Sequence, residues 1–164
     1  MRRLMHTAFG GPEVLELVEA PDPEQGPGEV RVRVHAAALN PVDWKIFTGT
    51  AAATSRGLEP PLGVGNDVAG VVDAVGEGVT AFAVGDRVFG AARARAMQDR
   101  TVVDLSKEAL VRTPDGLDDV RASCLVVAGR TAWAGVEALA LGDGDAVLVN
   151  GAAGGVGVLA VQLA

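Results

Sequence analysis

The sequence predicts a mainly β domain of short antiparallel strands that passes, near residue 117, into the opening of an α/β unit. Three observations carry that prediction. Residues 1–116 alternate short valine-rich runs with Gly and Pro punctuation, the pattern of many short strands. From Leu117 the chain becomes alanine- and leucine-rich, with apolar residues at near-helical spacing. The last stretch, AVLVNGAAGGVGVLAVQLA from Ala146 to Ala164, reads as an apolar strand, a glycine-rich turn and the start of an apolar helix. With 164 residues, 49% of them hydrophobic, and a mean hydropathy of +0.28, the chain can bury a real core.

Each element has its own warrant. Arg2 to Phe9 and Val14 to Glu19 flank a Gly10-Gly11-Pro12 turn and read as paired strands. Glu29 to Ala37 (EVRVRVHAA) alternates valine with charge, marking a strand with one buried and one wet face. Pro41 opens a short helix over Val42 to Phe47, with Asn40 or Asp43 supplying the helix-start chemistry. Val68 to Val75 is nearly all apolar, so this strand crosses the middle of the sheet, and Gly70 marks a close backbone approach or a bulge. Arg87, Arg93, Arg95 and Arg100 sit among glycines and alanines like a solvated loop, and Asp86 reads as a turn residue. Further on, Thr131 is placed to cap the helix that runs to Leu139, and Cys124, beside Leu125, Val126 and Val127, reads as a small buried hydrophobe. Gly142-Asp143-Gly144-Asp145 is a turn rather than a calcium loop, because Gly154 stands where such a loop needs its final glutamate.

Charge and composition exclude several classes of partner. A net charge of −7 leaves no basic face to replace counterions along a phosphate backbone, which argues against nucleic acid. The amino-terminal arginines precede no signal-type apolar run, since His6, Gly10, Gly11 and Pro12 break it, and no apolar stretch is long enough for a membrane helix. One cysteine allows no internal disulfide, which fits a reducing, cytoplasmic setting.

The glycine-rich turn carries the strongest functional signal. Gly151, Gly154 and Gly157 let backbone approach a pyrophosphate closely, and the helix behind them offers unpaired N–H groups and the positive end of its dipole. Glycines at a strand-to-helix turn also serve packing alone, and the sequence leaves both readings open. The residue that reads the adenosine ribose in such folds lies roughly 20 positions further on, past Ala164, so these residues do not choose between NADPH and NADH.

Four ordered blocks extend this signal over nearly the whole chain: AAALNPVDWK (Ala36 to Lys45), GVGNDVAGVVDAVGEGVTAFAVGDRVFG (Gly63 to Gly90), AGRTAW (Ala128 to Trp133) and VNGAAGGVG (Val149 to Gly157). Together they resemble the medium-chain dehydrogenase/reductase superfamily and, within it, the zinc-free quinone oxidoreductase, zeta-crystallin-like branch. The resemblance implies a GroES-like, partly closed β-barrel over residues 1–116 as the catalytic domain. It implies, over residues 117–164, a linking helix and the first strand and helix of an α/β Rossmann domain. Zinc-dependent relatives carry Gly-His-Glu where this chain has Gly65-Asn66-Asp67, and a cysteine ahead of the acidic residue where it has Asn40-Pro41-Val42-Asp43. Independently, one cysteine with His6 and His35 cannot assemble a structural zinc lobe or a three-ligand catalytic site, so no metal is predicted.

By the same resemblance the activity is hydride transfer from NADPH, or from NADH, to a small-molecule quinone or activated alkene, with the protein supplying orientation and polar contacts. Asn40 and Asp43 would lie beside the nicotinamide and substrate cleft, and Thr131 would touch the nicotinamide end of the cofactor. Gly151, Ala152, Gly154, Gly155, Val156 and Gly157 would hold the pyrophosphate. Plainer roles stay open: Asn40 as a helix cap, Asp43 as helix-start electrostatics, Thr131 as a cap. Asp67 looks structural, a buried acid paired within the domain. The chain has no tyrosine, so the family's frequent acceptor-side tyrosine has no counterpart.

An enoyl-thioester reductase shares these blocks, and a non-catalytic GroES-like module that binds a small ligand or self-associates is an alternative of a different class. One strand and a partial helix would leave apolar edges open. The 164 residues are therefore expected to be the N-terminal part of a longer reductase, or else a short form whose strand Ala146 to Asn150 pairs with a second copy.

Overall fold

A computed structural model describes residues 1–50 and 57–164. Its strands are β1 (Arg2–His6), β2 (Leu15–Glu19), β3 (Glu29–Ala38), β4 (Leu62–Gly63), β5 (Asp67–Val75), β6 (Arg87–Ala91), β7 (Arg100–Asp104) and β8 (Leu110–Arg112). Helix α1 (Pro41–Phe47) interrupts them, and α2 (Asp119–Ser123), α3 (Val127–Leu139) and α4 (Gly155–Leu163) follow. The strands form two antiparallel sheets, ordered β2-β1-β4 and β7-β3-β5-β6-β8. Hydrogen bonds from Leu4 N–H to the Met97 carbonyl (2.9 Å) and from Asp99 N–H to the Arg2 carbonyl (3.0 Å) stitch the sheets along β1, and among the described residues the strand pairings do not close into a cylinder.

β5 lies at the centre of the larger sheet, between β3 and β6, as its apolar run predicts. Alternate residues of β3 point inward, so Val30 and Val32 are fully buried with Val68 and Val72 of β5, Val88 of β6 and Val103 of β7. On the opposite face Asp73 of β5 receives Arg31 at 2.7 Å and Arg100 at 2.9 Å. Burying one valine contributes about 1.5–3 kcal/mol and an exposed ion pair about 1 kcal/mol or less, so the valine stack outweighs the charge ladder. The β3–β5 register slips between Val34 and Ala36, opposite Gly70. A Cβ on Gly70 would lie 2.0 Å from the Arg33 carbonyl oxygen, so the close approach and the irregularity occur together.

Several expectations are corrected. The four arginines do not share a loop: Arg87 and Arg100 lie on strands, and Arg93 and Arg95 on the turn after β6. Their charge hides an inward period of two, in which Val88 and Val103 face the core. The helical region divides in two, with Asp118 capping α2 by accepting the Arg121 N–H at 2.8 Å. Thr131 is not a cap but lies inside α3, its hydroxyl donating to the Val127 carbonyl at 2.6 Å. Helix α3 starts four residues earlier because the Val127 N–H finds its acceptor in Asp67 of β5, 3.0 Å away.

Cys124 is exposed, since Ala122 and Ser123 take the inward positions of α2. At the far end α4 forms and packs along α3, with Leu159 over Gly129. Residues 146–149 form no strand. Among the described residues nothing lies beside them to complete a ladder, and Leu148 is 94% exposed.

Candidate active-site cleft

A cleft of about 560 Å³ opens between the Asn66–Asp67 corner at the start of β5 and the beginning of α3. Val42, Val126, Val127 and Ala134 give it an apolar wall, Thr131 lines it from α3, and Arg93, Lys107 and Glu108 face it from the loops after β6 and β7.

Behind the corner lies a buried polar web. The N-cap residue Asn40 has extended backbone, and its N–H donates to Asp43 Oδ2 at 2.7 Å. The Asn40 side-chain amide donates to Asp67 Oδ2 at 3.0 Å, and the Asn66 amide donates to Asp43 Oδ1. Asp67 Oδ2 also accepts the Val127 N–H, whereas Asp67 Oδ1 is buried with no hydrogen-bond partner among the described residues. Asp43 is 3% exposed and Asp67 0%. Burial pushes both carboxyls above their ordinary value of 3.8, against the pull of the N–H donors, and the nearby Asp43 charge raises Asp67 further. Both oxygens of Asp43 are satisfied as acceptors, which leaves Asp67 Oδ1 as the open carboxylate oxygen of the web.

This donor set suits no zinc ion. Two amides direct their N–H groups at the carboxylates, His6 Nδ1 lies 2.9 Å from the Ala8 carbonyl, His35 Nδ1 lies 2.8 Å from Asp119, and Cys124 is on α2's exposed end. Among the described residues no three His, Cys, Asp or Glu side chains gather as metal ligands.

Asn40 and Asp43 thus meet in one web, but behind the cleft wall rather than on it, and Thr131 stands on the wall. The glycine-rich turn lies outside the cleft lining. In the sequence Asn66 stands out only as the residue in place of a zinc-binding histidine, Arg130 only as part of AGRTAW, and Arg93 only as one of the loop arginines, yet all three line the cleft.

The turn itself is well defined. Gly151 has φ +78°, Gly154 caps α4, and Gly154 N–H donates to the Gly151 carbonyl at 2.9 Å. A Cβ on Gly157 would sit 2.1 Å from the Gly151 oxygen, so packing requires glycine there, while a Cβ on Gly155 would meet open space. The first-turn amides of Gly155, Val156 and Gly157 have no acceptor within the helix, an arrangement that fits a phosphate anion.

Residues 26–114 match the family described as the alcohol dehydrogenase GroES-like domain, and the chain belongs to that family. Its relatives include quinone oxidoreductases of the medium-chain dehydrogenase/reductase superfamily. It is 41% identical over 164 residues to the quinone oxidoreductase of Pseudomonas aeruginosa, covering 99% of this chain and 49% of that protein. It is 38% identical over 163 residues to a mycocerosic acid synthase-like polyketide synthase of Mycobacterium tuberculosis, covering 99% of this chain and 8% of that protein. The quinone oxidoreductase structure from Coxiella burnetii superposes with a TM-score of 0.90 at 32% identity, over 99% of this chain and 52% of that one. A mycobacterial structure complexed with NADPH gives 0.86 at 34% identity, over 99% and 49%. The chain spans about half the length of the quinone oxidoreductases it matches.

Proposed function

We propose that this chain supplies the acceptor cleft of a zinc-independent oxidoreductase that passes a hydride from a nicotinamide cofactor, NADPH or NADH, to a quinone or activated alkene. The Asn40–Asp43–Asn66–Asp67 web carries this reading: amide donors satisfy both oxygens of Asp43 and one of Asp67 at the corner where zinc-dependent members hold their metal. Residues 1–116 are read as the GroES-like catalytic unit, and 117–164 as the linking helices and the opening of the dinucleotide-binding unit. The lone thiol suits a cytoplasmic setting. Among the described residues no helix is long and apolar enough to cross a membrane.

When bound, the cofactor supplies the hydride. The amides of Gly155, Val156 and Gly157, which follow the turn Gly151-Ala152-Ala153-Gly154 at the start of α4, would hold its pyrophosphate, and Thr131 would border the nicotinamide. Val42, Val126 and Val127 exclude water from the reacting face. Asn66 presents its remaining amide N–H to the acceptor oxygen. Asn40 and Asp43 act as positioning residues, fixing Asn66 and Asp67 through hydrogen bonds.

The test joins this chain to the C-terminal half of the Pseudomonas aeruginosa relative and follows NADPH oxidation by a naphthoquinone. Turnover without added zinc is expected, and Asn66→Ala should lower kcat/KM at least roughly tenfold by removing a donor to the developing oxyanion. Silence in the completed chain, or turnover that needs zinc, overturns the reading. An enoyl thioester offered in place of the quinone tests the neighbouring substrate class. A second reading adds self-association through residues 146–150 and α4, and the exposure of Leu148, Val158 and Val161 favours it.

A further inference from the structure

We propose that the cleft selects an anionic acceptor: Arg93, from the turn after β6, and Arg130, from the first turn of α3, both line it and together bind a carboxylate, sulfonate or phosphate carried by the substrate. The word substrate rests on the oxidoreductase reading; the anion site rests on charge and geometry alone.

Two cations near the cleft are already matched. Arg95 pairs with Glu108 Oε2 at 2.5 Å and Lys107 with Asp104 at 2.7 Å. Glu108 makes no ion pair with the Arg93 guanidinium; its other oxygen accepts the Arg93 backbone N–H at 2.7 Å. Neither the Arg93 nor the Arg130 guanidinium has a carboxylate partner among the described residues, and residues 51–56 contain no acid. The remaining acid on the wall, Asp67, is buried and turned to the Asn40 and Val127 donors. In a chain of net charge −7, two unmatched guanidiniums on one concave surface are a local excess that an anion relieves.

Both arginines stand on fixed backbone. The turn carrying Arg93 is held by the Glu108 contact, by Arg95 N–H to the Ala92 carbonyl at 2.8 Å, and by Ala94 at φ +55°. Arg130 sits in the first turn of α3, its N–H bonded to the Val126 carbonyl at 3.1 Å. Each offers the planar fork that oxyanions match. The apolar residues Val42, Val126, Val127 and Ala134 of the same cleft fit a conjugated body, so the ligand class is a flat conjugated carbonyl with an anionic handle. Cofactor phosphate is the rival source of negative charge, but the glycine-rich turn provides a separate set of amides for it.

Calorimetric titration of this chain with a naphthoquinone sulfonate and with the uncharged naphthoquinone tests the proposal, with NADPH as a third titrant. The sulfonate should bind roughly tenfold tighter or more, the preference should shrink at high salt, and Arg93→Gln with Arg130→Gln should abolish it. Arg112→Gln, a surface cation paired with Asp86, should leave it intact. Equal affinity for the two quinones overturns the proposal. So does a double variant that weakens NADPH while sparing the sulfonate, which assigns the arginines to the cofactor. A charge preference without turnover in the completed chain removes only the oxidoreductase reading; turnover without the preference removes only the anion site.

Discussion

β5 and the stretch Ala146–Val149 are both near-continuous apolar runs, yet Val68 and Val72 are 0% exposed while Leu148 is 94% exposed. β5 has β3 on one side and β6 on the other, and its valines close against those of both neighbours. Residues 146–149 have no strand beside them among the described residues. Apolarity sets what a segment can become, but a strand exists only where another backbone completes its hydrogen bonds.

The largest effect should come from crowding the paired region. Gly70→Ala places a methyl 2.0 Å from the Arg33 carbonyl, where neither backbone can move without breaking the β3–β5 ladder. A loss of about 3 kcal/mol or more in urea unfolding is expected, at the upper end of overpacking costs. A near-neutral result would mean the central ladder is far softer than its packing implies.

An intermediate effect, visible as pH dependence, should come from the web behind the cleft. Asp43 and Asp67 are raised above 3.8 by burial, so across the window from 3.8 up to the folded values the native state binds more protons than the unfolded chain. Stability from these two groups is fully present below that window and is lost as pH rises through it. Asp104 runs the other way. Lys107, with Ser106, holds it down to about 2, and its contribution is lost as pH falls from 3.8 toward that value. Asp67→Asn keeps an acceptor for Asn40 and Val127 and removes one titration, so it should gain stability relative to the wild type as pH rises from about 4 to neutrality. Urea midpoints at several pH values check this. A difference that stays constant with pH would show that burial does not raise the Asp67 carboxyl above its ordinary value.

The smallest effect on unfolding should come from the unpaired region. Leu148→Ser should change the unfolding free energy by less than about 0.5 kcal/mol, because the side chain leaves water hardly at all. If the exposed run mediates self-association, the same substitution should remove the dimer from size-exclusion chromatography at high concentration. A wild-type chain that elutes only as a monomer removes that reading.

Much of the sheet domain was legible in the sequence because its signals are local. The alternation of Val30, Val32 and Val34 with Arg31 and Arg33 determines which face of β3 is buried, and Pro41 after Asn40 starts α1. β6 and β7 were hidden because Arg87 and Arg100 dominate their composition while Val88 and Val103 do the packing. The site was legible only in part. Asn40, Asp43 and Thr131 stand out as residue types beside a helix, but their partners come from far along the chain: Asn66 lies 23 residues from Asp43, and Val127 lies 60 from Asp67. No local pattern announces such pairs. The start of α3 was misplaced for the same reason, since its first amide is satisfied by a strand residue rather than by a neighbour in sequence. Arg93 and Arg130 acquire meaning only once folding brings both to the cleft while Glu108 and Asp104 occupy the cations around them.

The glycine-rich turn is shaped by its own backbone. Gly154 N–H reaches the Gly151 carbonyl, Val158 N–H reaches the Gly154 carbonyl, and Gly157 lets the helix settle onto the Gly151 oxygen. On the proposed reading, an arriving anion would meet amides that already point one way. The loss of conformational freedom usually exacted at the moment of binding would then have occurred during folding, and recognition at this turn would be fast as well as selective.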